Sequence, residues 1–470
     1  MYIDVKECES RCYFALGLLV YINNFFVDIF PCFKLISLHW GSIFVETKLK
    51  DMNRIIIVGN GFDLAHGLKT KYENFINWYW EKTWKYLQNY VAIVFDDGLC
   101  YIELQPNSYA IYNYFRNSIL SSEICNYVVS LKKNFNHIKR VDVSPLLVRI
   151  SQSVETKGWV DIEADYYAML VECKGKKDEL EKLNKDFAVI QGLLVEYLKE
   201  IEENGISKKV LIRKIREKIL SPFSAKEMSL EAKDKWFAFL ENRFKGDDFI
   251  NRIKLYVSSN VTRKVSKVRE FLSAYREQVC YLGIESVVDI LPDMLYPDRM
   301  MLLNFNYTTT ADLYIPEDPH FILNHIHGEL AKPENVIFGY GDESDDEYKR
   351  LQKINDNEYL RHIKTNRYLE TPNYRDLLSF IDSAPFQVCI MGHSCGLSDK
   401  TMLNTLFEHK NCVSIKPYYY VNEQGKDNYL DIVQNISRNF TNAQLMRDRV
   451  VNKTYCEELP QVTRKQKEEE

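Results

Sequence analysis

This sequence lacks paired cysteines. Its eleven cysteines stand at positions 8, 12, 32, 100, 125, 173, 280, 389, 395, 412 and 456, and no two form a C-x-x-C pair. That spacing signals neither a structural zinc site nor a redox dithiol. An odd number of irregularly spaced thiols fits a reducing compartment, so the expected location is cytoplasmic. Charge of one sign is also missing. The net charge is -5, and nothing global points to nucleic acid or an anionic membrane. The apolar run from Tyr13 to Ile22 is broken by Asn23, Asn24, Asp28 and Pro31. It falls short of the about 20 residues a membrane-crossing helix needs. A secretory signal wants a basic start, whereas Asp4, Glu7 and Glu9 make this one acidic. No clustered acidic metal site is evident, which argues against a metal-dependent nuclease.

What is present suits a soluble globular protein: 46% hydrophobic and 27% charged residues in a chain of 470, long enough for two or three lobes. The most informative stretch is Arg54 to Phe75. Ile55, Ile56, Ile57 and Val58 run into Gly59-Asn60-Gly61, and a helix-compatible segment follows. A short uninterrupted apolar run reads as a strand buried on both faces of a parallel sheet. Two glycines at its end allow a tight turn and close approach of backbone N–H groups to a phosphate. Asp63 and His66 fall where the chain leaves the sheet. Leu64 stands where a full dinucleotide fingerprint has its third glycine, so the loop alone leaves a nucleotide site and a structural turn equally open.

Further along, Lys71 to Tyr90 is rich in aromatics, and Phe75, Trp78 and Tyr79 recur at helical spacing. This predicts a helix packing on the sheet, with a base-stacking platform as the less favoured use. Leu180, Leu183, Phe187, Ile190, Leu194, Tyr197 and Ile201 mark one long amphipathic helix ended by Asn204-Gly205. Ser207 to Leu220 and Thr262 to Leu282 read as further helices. Their basic residues are interleaved with acidic ones, so no nucleic-acid surface is signalled. In Gly158 to Glu163, Asp161 and Glu163 lie two apart. On an extended segment both carboxylates would face one way, either as an acid–base or cation pair or as surface charge.

Strand patterns then return. Met301–Phe305 leads into Asn306-Tyr307-Thr308, Phe321–Ile326 into His327-Gly328, Val336–Phe338 into Gly339, and Gln387–Met391 into Gly392-His393-Ser394. Val413–Ile415 begins a last strand. In a parallel sheet such strand ends gather at one crevice. Gly59, Asp63, Asn306, His327 and Ser394 are therefore expected to be neighbours. The fold class is α/β, a Rossmann-like, mostly parallel sheet with a large inserted helical lobe. The expected division is an N-terminal extension over 1–51, with a membrane-associated segment as its alternative. The sheet domain follows in two parts, 52–115 and 286–445, with the lobe over 116–285 and a charged tail over 446–470.

IIIVGNGFDLAHGLKTKYENF, LLNFNYTTT, HIHGEL, IFGYGDE and IMGHSCGLSDKTML, with WVDIEADYY in the lobe, resemble in content and order the AbiH family of abortive infection against phage. A weaker resemblance is to sirtuin-like NAD-binding domains, through Gly59–Gly67, Asn306, His327-Gly328 and Gly392–Ser394. That resemblance implies NAD as ligand or substrate, with Gly59, Asn60, Gly61, Asp63, His66, Thr308, Gly328, Gly392, Ser394 and Asp399 binding it. The first loop would hold the pyrophosphate, and Ser394 and Asp399 the adenosine half. His327 would be the general base, and Asn306 would orient the water or the nicotinamide amide. Thr308 stands where the sirtuin-like motif has Asp, and the four-cysteine zinc module of the deacetylases is missing. The implied activity is NAD hydrolysis serving abortive infection. Non-catalytic nucleotide sensing is the alternative, with an unspecified phage trigger, and homo-oligomerisation stays open.

Overall fold

A computed structural model describes residues 52–89, 94–104, 138–157, 161–206, 211–232 and 297–462. The expected extension over 1–51, the helix over 262–282 and the end of the expected tail, from 463, lie outside these residues. The first part of that tail, 446–462, is described: Val451, Cys456 and Leu459 are buried, and Val451 N–H donates to the Ile415 carbonyl at 2.9 Å.

Five strands form an all-parallel sheet: β1 (Asn53–Val58), β5 (Met300–Asn304), β6 (Phe321–His325), β7 (Phe386–Met391) and β8 (Cys412–Tyr418). Their order is β6-β5-β1-β7-β8. This is the doubly wound order, in which the chain works outward from β1 on one side and then returns to its other side. Register aligns Val58 with Asn304 and Met391, and Asn304 with His325, so all these strands finish on one edge. The order reverses between β1 and β7, and the finishing edge there is where open α/β sheets bind ligands.

The apolar run Ile55–Val58 is a strand because both faces of the sheet are covered. Ile55 and Ile57 join Met301, Leu303, Val388 and Ile390 on one face. Leu377, Phe380 and Ile381 of α9 (Asn373–Ser383) cover them, with Leu403 and Leu406 of α10 (Lys400–Phe407) and Ile432 and Ile436 of α11 (Tyr429–Arg438). Ile56 and Val58 point the other way, against Phe62 and Ala65 of α1 (Asn60–Ala65) and Ile215 and Ile219 of α6 (Arg213–Ile219). All four side chains are fully enclosed. At about 1.5–3 kcal/mol for each such burial, this strand is a main contributor to the core.

The helical lobe has its own core. It comprises α2 (Tyr72–Asn89), α3 (Pro145–Lys157), α4 (Ile162–Glu172) and α5 (Lys177–Ile206). A three-stranded antiparallel sheet joins them, made of β2 (Val94–Asp96), β3 (Cys100–Leu104) and β4 (Ile138–Val143). The stripe from Leu180 to Tyr197 is buried as its periodicity predicts, and the helix runs through Asn204-Gly205 to Ile206. The aromatic helix α2 packs on the lobe rather than on the parallel sheet: Phe75 meets Tyr197, and Trp80 Nε1 donates to Ser151 Oγ at 2.9 Å.

Val336–Phe338, expected as a strand, is not one. Val336 and Phe338 are apolar because the lobe buries them, and Ile337 because it turns to the sheet's core: Phe338 stacks on Phe187 at 4.7 Å, and Gln191 donates to the Val336 carbonyl. The same core continues through Tyr340, Tyr348, Leu351, Tyr359 and Ile363, so lobe and finishing edge are packed as one body. The six cysteines among the described residues are buried, and no described helix is long and apolar enough to cross a membrane. Among the described residues, no three His, Cys, Asp or Glu side chains are grouped to hold a metal ion.

Candidate active site

Where the lobe meets the finishing edge of the sheet, one buried ammonium holds together side chains that come from four distant parts of the sequence. It belongs to Lys364, the first residue of the short helix α8 (Lys364–Arg367), whose backbone N–H donates to the Tyr340 carbonyl at 3.0 Å. Its Nζ lies 2.7 Å from Asp399 Oδ1 and 3.0 Å from Glu163. Asp399 closes the 3₁₀ turn that follows β7 and begins α10. Glu163 comes from the first turn of α4 in the lobe, and its Oε1 also accepts from Gly339 N–H at 3.0 Å. Two imidazoles complete the group. His327 Nε2 is 3.2 Å from Asp399 Oδ1 and 3.1 Å from the Tyr368 hydroxyl, and His393 Nε2 is 3.6 Å from Asp399 Oδ2.

His327 reaches this position because the chain reverses straight after β6. Gly328 adopts φ +84, and a Cβ there would lie 2.4 Å from the Asn335 carbonyl oxygen. Only glycine fits that turn.

With Lys364, Asp399, Glu163 and His327 all buried, the charges decide one another's protonation. Burial works against ionised Asp399, but Lys364 and His327 outweigh it and hold the carboxyl well below its usual range. Burial pushes Glu163 the other way, to about 7, with Lys364 opposing and Asp399 and Asp161 adding to the rise. Lys364 is held above the usual lysine range because the two carboxylates overcome its desolvation. Burial and then Lys364 lower His327, against the pull of Asp399. The result is one carboxylate firmly ionised, one able to exchange a proton near neutral pH, and a neutral imidazole beside the first. Two acids pushed apart in this way are the usual arrangement for acid–base chemistry. Tyr72, Tyr307 and Tyr368 border the group, their hydroxyls kept protonated by burial and by the same carboxylates.

Of the residues anticipated from sequence, His327 and Asp399 belong to this group. Glu163 does too, but not as half of an extended pair. Asp161 is the N-cap of α4, its carboxylate accepting from Ala164 N–H, so Glu163 alone turns inward. Asn306 stands at the end of β5 with its Nδ2 donating to the Gly59 carbonyl at 3.0 Å. Asp63 accepts from Thr308 Oγ1 at 2.6 Å, His66 meets the Tyr314 hydroxyl at 2.7 Å, and Asn60 accepts from Thr70. Ser394 is exposed, its carbonyl accepting from Asn435.

In the first glycine loop, expected to hold a pyrophosphate, three backbone N–H groups are bonded within the protein. Gly59 N–H donates to Met391 O, Gly61 N–H to Gly392 O and Phe62 N–H to Gly59 O. The glycines let two loops touch: a Cβ on Gly61 would lie 2.8 Å from Gly392 Cα. Lys364 and Tyr368, which sequence reasoning missed, sit in a polar stretch with no motif or periodicity to mark them.

The family model for bacteriophage abortive infection AbiH matches residues 55–420, a span that contains every member of the buried group. Comparisons with curated proteins and with solved structures return no match. With the family model covering well over half of its length, the chain belongs to the AbiH family of bacteriophage abortive infection.

Proposed function

We propose that this chain serves abortive infection by hydrolysing the bond between nicotinamide and ribose in NAD, using the buried group at the finishing edge of the sheet. The observation that supports this most is the single ammonium of Lys364 shared by Glu163 and Asp399, with His327 on the same Asp399 oxygen. Loss of nicotinamide leaves positive charge on the ribose, as in oxocarbenium-like glycosidic transition states. Ionised Asp399 is the group to stabilise that charge. The C–N bond electrons leave with neutral nicotinamide, water oxygen bonds to the ribose carbon, and neutral His327 takes the water proton. Asp399 then steadies the imidazolium, as a carboxylate does in a hydrolytic triad. Glu163 is a second proton acceptor near neutral pH, and Asn306 orients the water. The N–H groups of Gly59, Gly61 and Phe62 are already bonded within the protein, so the phosphates of the substrate are held elsewhere than on these three.

The enclosure of the group favours a second reading, in which the site senses a nucleotide without chemistry. Incubating the purified chain with NAD and extract of phage-infected cells, and following nicotinamide, separates the two. Hydrolysis predicts release that falls on the order of a hundredfold or more in Asp399→Asn and His327→Ala. Unchanged NAD alongside retained protection of cells against phage would favour sensing.

A further inference from the structure

His393 takes no part in the steps above, yet three features of its surroundings converge on it. Gly59 is one: a Cβ there would lie 2.5 Å from His393 Cα, 2.8 Å from its Cβ and 2.9 Å from its Cδ2. The second is Cys395, which holds the left-handed conformation at φ 55 without being glycine. Such a residue persists only where its surroundings impose it. Here the buried Asn439 does so, donating from Nδ2 to the Cys395 carbonyl at 2.9 Å. The third is the Phe305 ring, 4.3 Å from the imidazole.

The turn at Cys395 aims its own N–H at His393 Nδ1, 3.0 Å away. A backbone N–H can only donate, so Nδ1 is an acceptor and the ring proton sits on Nε2. That proton faces Asp399 Oδ2 at 3.6 Å, an electrostatic approach longer than a hydrogen bond, while Lys364 and His327 both lie on Oδ1. His393 is the group described on Oδ2, so it adds to the hold that Lys364 and His327 have on the carboxylate through Oδ1.

We propose that His393 is a positioning residue: its Nε2–H adds to the hold on the orientation of Asp399, and residue 59 is glycine to seat this imidazole. The proposal rests on the reading of Asp399 as the charge-stabilising group, but its first test does not depend on catalysis. In the full chain labelled with ¹⁵N-histidine, the His393 signals are assigned by their loss in His393→Gln. Where that variant fails to fold, their displacement in Asp399→Asn assigns them. The expected pattern is the Nε2–H tautomer, and an Nδ1–H tautomer overturns the proposal.

The second test follows nicotinamide release. His393→Phe should lower kcat by up to about tenfold, less than a full hydrogen bond to a charged group is worth, because the approach to Oδ2 is long. KM should stay unchanged, and His393→Gln, whose amide can donate to Oδ2, should restore most of the rate. A glutamine no better than phenylalanine overturns the positioning role. Absence of nicotinamide release from the native chain removes the hydrolase reading instead, and the tautomer then decides this one.

Discussion

Two groups of buried charge lie on the same sheet, one toward its starting edge and one beyond its finishing edge. Near the start, Arg54 of β1 points to the face of Ile56 and Val58. Its Nε donates to Gln387 Oε1 at 3.0 Å and its Nη1 to the carbonyls of Ile219 and Ser221, with Phe223 packed 4.8 Å from the guanidinium. Gln387 passes its own N–H groups to Glu227 and Ser414, and Lys416 meets Glu227 at 2.7 Å. Burial opposes the Lys416 charge, Glu227 overcomes it, and the lysine pKa rises. The cations there end on carbonyls, an amide and the carboxylates of Glu227 and, at 3.8 Å, Glu457, which Lys218 also meets, so negative groups do not outnumber cations. Beyond the finishing edge, one lysine serves two carboxylates with two imidazoles alongside, and the surplus is resolved by moving protons. Burial of charge is thus common to both groups. Only the second, where negative groups outnumber the cation, is equipped to exchange a proton.

Removing each cation tests that difference. Lys364→Met leaves Asp399 and Glu163 buried with no positive partner, and should cost about 3–5 kcal/mol in urea unfolding. Arg54→Met strands two carbonyls and one amide oxygen, but no charge. A smaller loss, about 2–4 kcal/mol, is expected by the same measurement, with nicotinamide release from the folded fraction unchanged. If Arg54→Met proved the more damaging, the contrast between a closed clasp and an open surplus would fail.

The sequence revealed the strands better than it revealed the partners across the site. Ile55–Val58 and the polar residues after each strand announce a parallel sheet and its finishing edge, because burial on two faces and chain reversal each demand particular residue types. His327 comes from such a strand end and was legible for that reason, whereas Asp399, in the turn beyond β7, entered only through the sirtuin-like resemblance and as a contact to the adenosine half. Lys364 was not, since it lies in a four-residue helix with no periodicity and meets Glu163 across 201 positions of sequence. Glu163 was visible as a carboxylate but misread in geometry. The signal that would have corrected it is local: Asp161 followed by Glu163 and Asp165 is an N-cap with an acidic first turn. Val336–Phe338 misled because an apolar run records burial, and a connecting segment held between the lobe and the sheet's core is buried on both sides as a strand is.

The finest cut through the comparison is the pH dependence of stability in the native chain relative to Glu163→Gln. Burial, then Asp399 and Asp161, outweigh Lys364 and raise the Glu163 carboxyl from 4.5 to about 7. Across that window the folded chain keeps a proton that the unfolded chain has released. The stability contributed by neutral Glu163 is therefore complete below pH 4.5 and is lost as pH rises toward 7. One proton changes it by up to ~1.4 kcal/mol per pH unit. His327 works in the opposite sense, because its lowered pKa makes its contribution grow as pH approaches 6.5, but it is present in both chains and largely cancels in the difference. Glutamine stays neutral, so the variant should gain on the native chain steadily from pH 4.5 to 7 when urea midpoints are compared. A flat difference would mean that Glu163 is ionised throughout and that Lys364 neutralises both carboxylates, which would make the finishing edge as closed as the starting one.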